Sequence, residues 1–123
     1  MSDTGREDAA ANNLVELRRG TVVLASLIAL RTASYGYALL DQLGAWGLDA
    51  DANTLYPLLR RLEKQGLLAS EWNTDEARPR KFYSTTTAGD ALAAQLTSEW
   101  ERLDDIIRRL TLAATDTAEG AES

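Results

Sequence analysis

Between residues 53 and 81 lie six cations, Arg60, Arg61, Lys64, Arg78, Arg80 and Lys81, against the acids Glu63, Glu71, Asp75 and Glu76. Guanidinium and ammonium groups bind phosphate. The Asn53 amide, Thr54 hydroxyl and Tyr56 ring just ahead of them can meet base edges or a sugar–phosphate backbone. The whole chain is acidic, with 13 Lys+Arg against 19 Asp+Glu and a net charge of −6. That acidity sits at the ends, because residues 1–13 and 99–123 are both net negative. Phosphate attraction follows local potential, so an acidic chain whose cations share one face still suits a polyanion.

Other chemistry is excluded by what is missing. The 123 residues contain no His and no Cys. Disulfides, thiolate nucleophiles, the usual zinc sites and Ser/His or Cys/His triads are therefore out of reach. No glycine-rich phosphate cradle is evident, and adjacent acids such as Asp104 and Asp105 diverge on a helix rather than pair across a cleft. No enzyme activity, cofactor or metal is expected. The longest apolar run, Val22–Leu30 with Ser26 inside it, is far too short to span a bilayer. MSDTGRED has none of the character of a signal peptide, so a cytoplasmic protein without a membrane segment is the expectation.

The elements that must position the cations follow from apolar spacing. Residues 1–13 and 113–123 have almost no large apolar side chains and are expected to be disordered tails. A first helix is predicted from about Leu14 to Arg31, nearly all apolar over Val22–Leu30 and hence buried. Ser34 is a candidate N-cap for a second helix that Gly44 and Gly47 break, with Tyr35 and Tyr37 as packing residues. A third helix is predicted from Asp51 or Asn53, with Leu55, Leu58, Leu59 and Leu62 on one face, closed by Gly66 with Leu67 folding back on Leu62. Pro57 is too deep for a first turn, so a late start or a kink is expected there.

Leu68–Asn73 and Lys81–Thr86 alternate as two short strands, joined by the polar, Pro79-containing stretch Thr74–Arg80, with Trp72 packing the hairpin onto the body. Thr86 caps a long last helix carrying Leu92, Leu96, Trp100, Leu103, Ile107 and Leu110. From Leu96 onward this is a heptad seam that calls for a partner helix. The fold class is thus mainly α with a small β-hairpin: a winged helix-turn-helix over 14–87 and a long dimerisation helix over 88–112. In that architecture the third helix enters the major groove and the hairpin tip reaches the flanking backbone. With the leucines turned inward, Asn53, Thr54, Tyr56, Arg60, Arg61 and Lys64 are expected to face DNA, joined by Arg78, Arg80 and Lys81 from the wing.

The strings YGYALL (Tyr35–Leu40), TLYPLLRRLEKQGLL (Thr54–Leu68) and RPRKFYSTTTAG (Arg78–Gly89) resemble the PadR family of bacterial transcriptional regulators. The resemblance spans about residues 14–110, and its single C-terminal helix is similar to the small subgroup. It implies a homodimeric repressor that binds a palindromic promoter element in double-stranded DNA and releases it on a signal. It also implies that Tyr56 and Pro57 lie at DNA-reading positions, Arg80 and Lys81 on the wing, and the first and last helices in the dimer interface. One departure is the DADAN lead into the third helix, where Asp49 and Asp51 would repel phosphate.

Trp100, in the middle of the seam Leu96, Trp100, Leu103, Ile107, Leu110, has two readings. It is either a packing anchor or, paired with its mate across a two-fold axis, a slot for a planar aromatic effector, as the resemblance to drug-binding small members implies. An alternative for the whole chain is a winged-helix protein-interaction module without DNA binding.

Overall fold

The structure is a computed structural model that describes residues 2–75 and 77–122, with side chains for 4–75 and 77–116. The elements are α1 (Ser2–Ala29), β1 (Ser34–Tyr35), α2 (Gly36–Ala45), α3 (Ala52–Lys64), β2 (Leu68–Asn73), β3 (Arg80–Thr85) and α4 (Thr87–Glu122). Three helices followed by a hairpin is the winged helix-turn-helix order. By internal contacts the chain divides into Met1–Ala93 and Ala94–Ser123, a few residues beyond the predicted boundary at 87/88.

The first unit is built on leucine. Val22 and Leu27 from α1, Leu30 just past its end, Leu39 and Leu43 from α2, Leu55, Leu58, Leu59 and Leu62 from α3, with Leu68, Tyr83 and Ala93, are its buried apolar side chains. Each buried Leu contributes about 1.5–3 kcal/mol relative to exposure, so the four-leucine face is what seats α3. Asp51 starts that helix, its Oδ1 accepting from the Thr54 N–H at 2.8 Å. Gly66, at φ +78°, ends it, with the Leu67 N–H donating to the Leu62 carbonyl and the Gly66 N–H to that of Glu63. Gly47, at φ +91°, closes α2 in the same way.

Several expectations need correction. Residues 2–13 belong to α1 and 113–122 to α4. Both stretches are alanine-rich, and extending an existing helix costs little, whatever the lack of apolar side chains. Local bonds help, such as Asn13 Nδ2 to the Ala9 carbonyl and Thr115 Oγ1 to that of Thr111. Burial of α1 is confined to its C-terminal half, since Leu14, Val15 and Leu17 are exposed. Ser34 does not cap α2: it lies in β1, and Tyr35 occupies the cap position without a side-chain bond.

Pro57 does not delay α3, which already begins at Ala52. Tertiary packing of the leucine face outweighs the local penalty, and the cost is that the Asn53 carbonyl has no N–H four residues on to accept from. Gly44 lies inside α2 rather than ending it, and Tyr37 is exposed.

The sheet is antiparallel in the order β1-β3-β2. The hairpin register pairs Leu68 with Thr85, Ser70 with Tyr83, Trp72 with Lys81 and Asn73 with Arg80. β1, too short to announce itself in the sequence, pairs Ser34 with Tyr83 and Tyr35 with Phe82. Around Thr85 and Thr86 three parts of the chain are tied together. The Thr85 N–H and Oγ1 donate to the Leu30 and Leu27 carbonyls, and the Thr86 N–H and Oγ1 to those of Leu67 and Gly66. Thr86 Oγ1 also accepts from the Gly89 N–H at 3.0 Å, capping α4 as expected. Arg31 closes the same region with an ion pair to Asp90 at 2.7 Å.

Candidate nucleic-acid interface

With Leu55, Leu58, Leu59 and Leu62 inside, helical spacing sorts the remaining α3 side chains into three directions. Asn53, Pro57, Arg60 and Lys64 stand opposite the leucines and are exposed. Thr54 and Arg61 flank them on the side of α1. There, with Val15, Arg18, Val22, Leu58 and Pro57, they line an open groove of about 790 Å³. Tyr56 and Glu63 flank on the other side. Arg60, Arg61, Lys64 and Arg78 make no ion pair or side-chain hydrogen bond with another described residue. Their charge is therefore available to an incoming anion.

Tyr56 is placed differently from the expectation. It is half-buried rather than outward, and a Cβ on Gly36 would lie 2.6 Å from its Cε1. Gly36, buried at the start of α2, is glycine because the Tyr56 ring takes the space of a side chain. Tyr56 thereby locks α2 against α3, the pair that makes the helix-turn-helix.

The wing divides its cations between two faces. Residues opposite one another across a hairpin share a face, so Lys81 and Tyr83 look the same way as Ser70, whereas Arg80 and Phe82 look the other way, with Tyr35. On that outer face the Tyr35 and Phe82 rings meet edge-on at 5.3 Å, and the Arg80 guanidinium lies 4.6 Å above the Tyr35 ring. Cation–π stacking of this kind orients a guanidinium. Lys81 differs from the expectation: its Nζ is 2.9 Å from Glu63 Oε1 and sits over the Tyr83 ring. Ser70 Oγ donates to the other Glu63 oxygen. Bonds from Ser70 and then Lys81 hold the Glu63 carboxyl below the usual range, and the bond to Glu63 raises Lys81. Trp72 is 65% exposed, so it does not pin the wing to the body.

The model of the transcriptional regulator PadR-like family matches residues 23–95, which contain α2, α3 and the wing. The chain belongs to the PadR-like family. This PadR-like regulator is 36% identical over 84 residues to Transcriptional regulator Rv3488 of Mycobacterium tuberculosis, covering 68% of this chain and 76% of that one. A crystal structure of a PadR family transcriptional regulator from Eggerthella lenta is 45% identical, with a TM-score of 0.82 over 87% of this chain and 96% of that one. An X-ray structure of a PadR-like transcription factor from Bacteroides fragilis is 28% identical, with a TM-score of 0.68 over 80% and 98%. The protein is a transcriptional regulator of winged-helix fold, and regulators of this family are DNA-binding proteins rather than enzymes. No described helix is long and apolar enough to cross a membrane.

In the second unit of this PadR-like regulator, Trp100, Leu103, Ile107 and Leu110 are all exposed, while Leu96 is half-buried. Three of the acids near Trp100 are engaged: Glu99 with Arg102, Asp104 with Arg108 and Asp105 with Arg109, at 2.7–3.0 Å. Their pull on a cationic ligand is accordingly small, and stacking on the indole is what Trp100 has to offer. Sequence reasoning missed Gly36, Glu63 and Ser70 as parts of the interface. The one available signal was an acid, Glu63, within the basic run RRLEK.

Proposed function

We propose that the protein is a homodimeric repressor that reads a palindromic promoter element with α3 and the wing. The observation that carries this reading is the outward face of α3. Asn53, Pro57, Arg60 and Lys64 oppose a fully seated leucine face, and both cations are unpaired among the described residues. Arg60, Lys64, Arg61 and the wing-borne Arg78 and Arg80 bind phosphate, while Asn53 and Thr54, at the start of the recognition helix, reach base edges. Dimerisation through the α4 seam and the exposed leucines of α1 supplies the second half-site.

The test is a duplex titration at two salt concentrations, using sequences selected by the wild-type protein from a random pool. Arg60→Ala with Lys64→Ala should weaken binding to every duplex and flatten the log–log salt slope by roughly 0.9 for each phosphate no longer neutralised. Asn53→Ala should instead change which selected sequence is preferred. Wild-type binding that does not fall with salt would overturn the DNA reading and leave a protein-interaction module in its place.

Trp100 is the effector site in this reading, favoured by its 55% exposure in the middle of the seam. A planar molecule stacked between the two indoles would shift the α4 pair and with it the spacing of the recognition helices. In a variant with Trp46 and Trp72 replaced by Phe, ethidium should quench Trp100 fluorescence and release bound duplex. Trp100→Ala should keep duplex binding and lose the release. Unchanged release in Trp100→Ala dimers would make the indole a packing residue only.

A further inference from the structure

We infer that Glu63 is a positioning residue that limits sequence-independent attraction to DNA: it holds the Lys81 ammonium on the body side of the wing and so withholds that cation from the phosphate backbone. The inference rests on the DNA-binding reading above. Three observations carry it. Glu63 receives a bond from each strand of the wing, Ser70 on β2 and Lys81 on β3, so one carboxylate fixes the angle between recognition helix and wing. The Glu63 and Lys81 side chains are only 31% and 28% exposed, which shields the pair from the screening that weakens surface ion pairs. Glu63 is also the only acid in α3. Unpaired, it would repel phosphate beside Arg60 and Lys64; paired, it leaves that surface purely cationic.

The direction of both titrations fits. Glu63 stays ionised to lower pH than an ordinary glutamate and Lys81 stays protonated to higher pH than an ordinary lysine, so the latch is closed throughout the neutral range. A lysine free to swing towards DNA would add attraction to any sequence alike, because phosphate contacts carry no base information. Withholding it lowers affinity for every duplex alike and leaves discrimination to the contacts with base edges.

The experiment compares the wild-type protein, Glu63→Gln, Lys81→Met and the double variant on two probes, the duplex selected from a random pool and an unrelated duplex, across a salt series. Glu63→Gln should steepen the salt slope by about 0.9 for each wing engaged and raise affinity for the unrelated duplex about three- to tenfold. Affinity for the selected duplex should rise by a similar factor, because a phosphate contact does not distinguish the two. Lys81→Met alone should keep the wild-type slope, and the double variant should return to it, as a cycle between coupled residues requires. A wild-type slope in Glu63→Gln, or a shallower one in Lys81→Met, overturns the inference and makes Lys81 an ordinary phosphate-binding residue. If Glu63→Gln does not fold, Lys81→Met decides alone. A wild-type protein that binds neither duplex in a salt-dependent way removes the DNA reading itself, an outcome distinct from either.

Discussion

Leu103→Asp together with Ile107→Asp is expected to turn the proposed dimer into a monomer. Both side chains are exposed in α4, one helical turn apart, on the stripe that also carries Trp100 and Leu110. A contiguous apolar stripe of this kind is seldom left to water by a soluble protein, and its heptad spacing suits a second helix. Burying one Leu or Ile contributes about 1.5–3 kcal/mol, and two from each protomer make the substitution worth about 6 kcal/mol or more. The dissociation constant should therefore rise by at least about 10⁴-fold. The four new carboxylates would also repel one another across the two-fold axis. Light scattering over a concentration series checks this, and an unchanged dimer mass would place the interface on another surface. Operator binding should fall with dimerisation, because a monomer reads one half-site and forfeits the second.

Gly89→Ala is expected to lower the melting temperature by about 10 °C, against the usual gain from replacing a helical glycine. A Cβ at this position would lie 2.2 Å from the Leu67 carbonyl oxygen and 2.7 Å from Thr85 Cγ2. The first is backbone, held in turn by the Thr86 N–H, and cannot swing aside. Relieving the clash means moving the first turn of α4 away from the α3–β2 turn, a cost of about 2–4 kcal/mol. Gly20→Ala provides the contrast: nothing lies within 4 Å of its would-be Cβ, so alanine there should stabilise α1 by about 0.5–1 kcal/mol. Thermal unfolding followed by circular dichroism separates the two, and a melting temperature for Gly89→Ala at or above wild type would show that α4 can yield.

What could be read in the sequence was whatever depends on neighbours along the chain. The Asp51 cap, the leucine spacing of α3, the Gly66 turn with Leu67 folded back, and the Thr86 cap are all set within a few residues, and all are found in the structure. What escaped depends on partners far along the chain. Tyr56 looks outward by spacing alone, but Gly36, twenty positions earlier, leaves a space that draws its ring inward. Lys81 looks like another wing cation until Glu63 is seen beside it, and β1 exists only because β3 offers it an edge. The tails erred in the other direction. Lack of apolar residues argues against packing, but it does not argue against a helix that extends one already formed.

The tie at Thr85 and Thr86 also bears on how the chain reaches its fold. Thr85 Oγ1 meets the Leu27 carbonyl across 58 positions of sequence, whereas Thr86 meets Gly66 across 20. Closing the longer loop forfeits more chain entropy, and that loss precedes any reward from the bond it allows. The α3–β2–β3 segment, linked by the shorter closures, is therefore expected to assemble first. The C-terminal end of α1 docks onto it afterwards. During synthesis α1 leaves the ribosome before the wing, so the carbonyls of Leu27 and of Leu30, just past the helix, must wait for Thr85 to emerge. Until then the buried apolar face of Val22, Leu27 and Leu30 stays uncovered, making that helix the segment of the nascent chain most in need of a chaperone's cover.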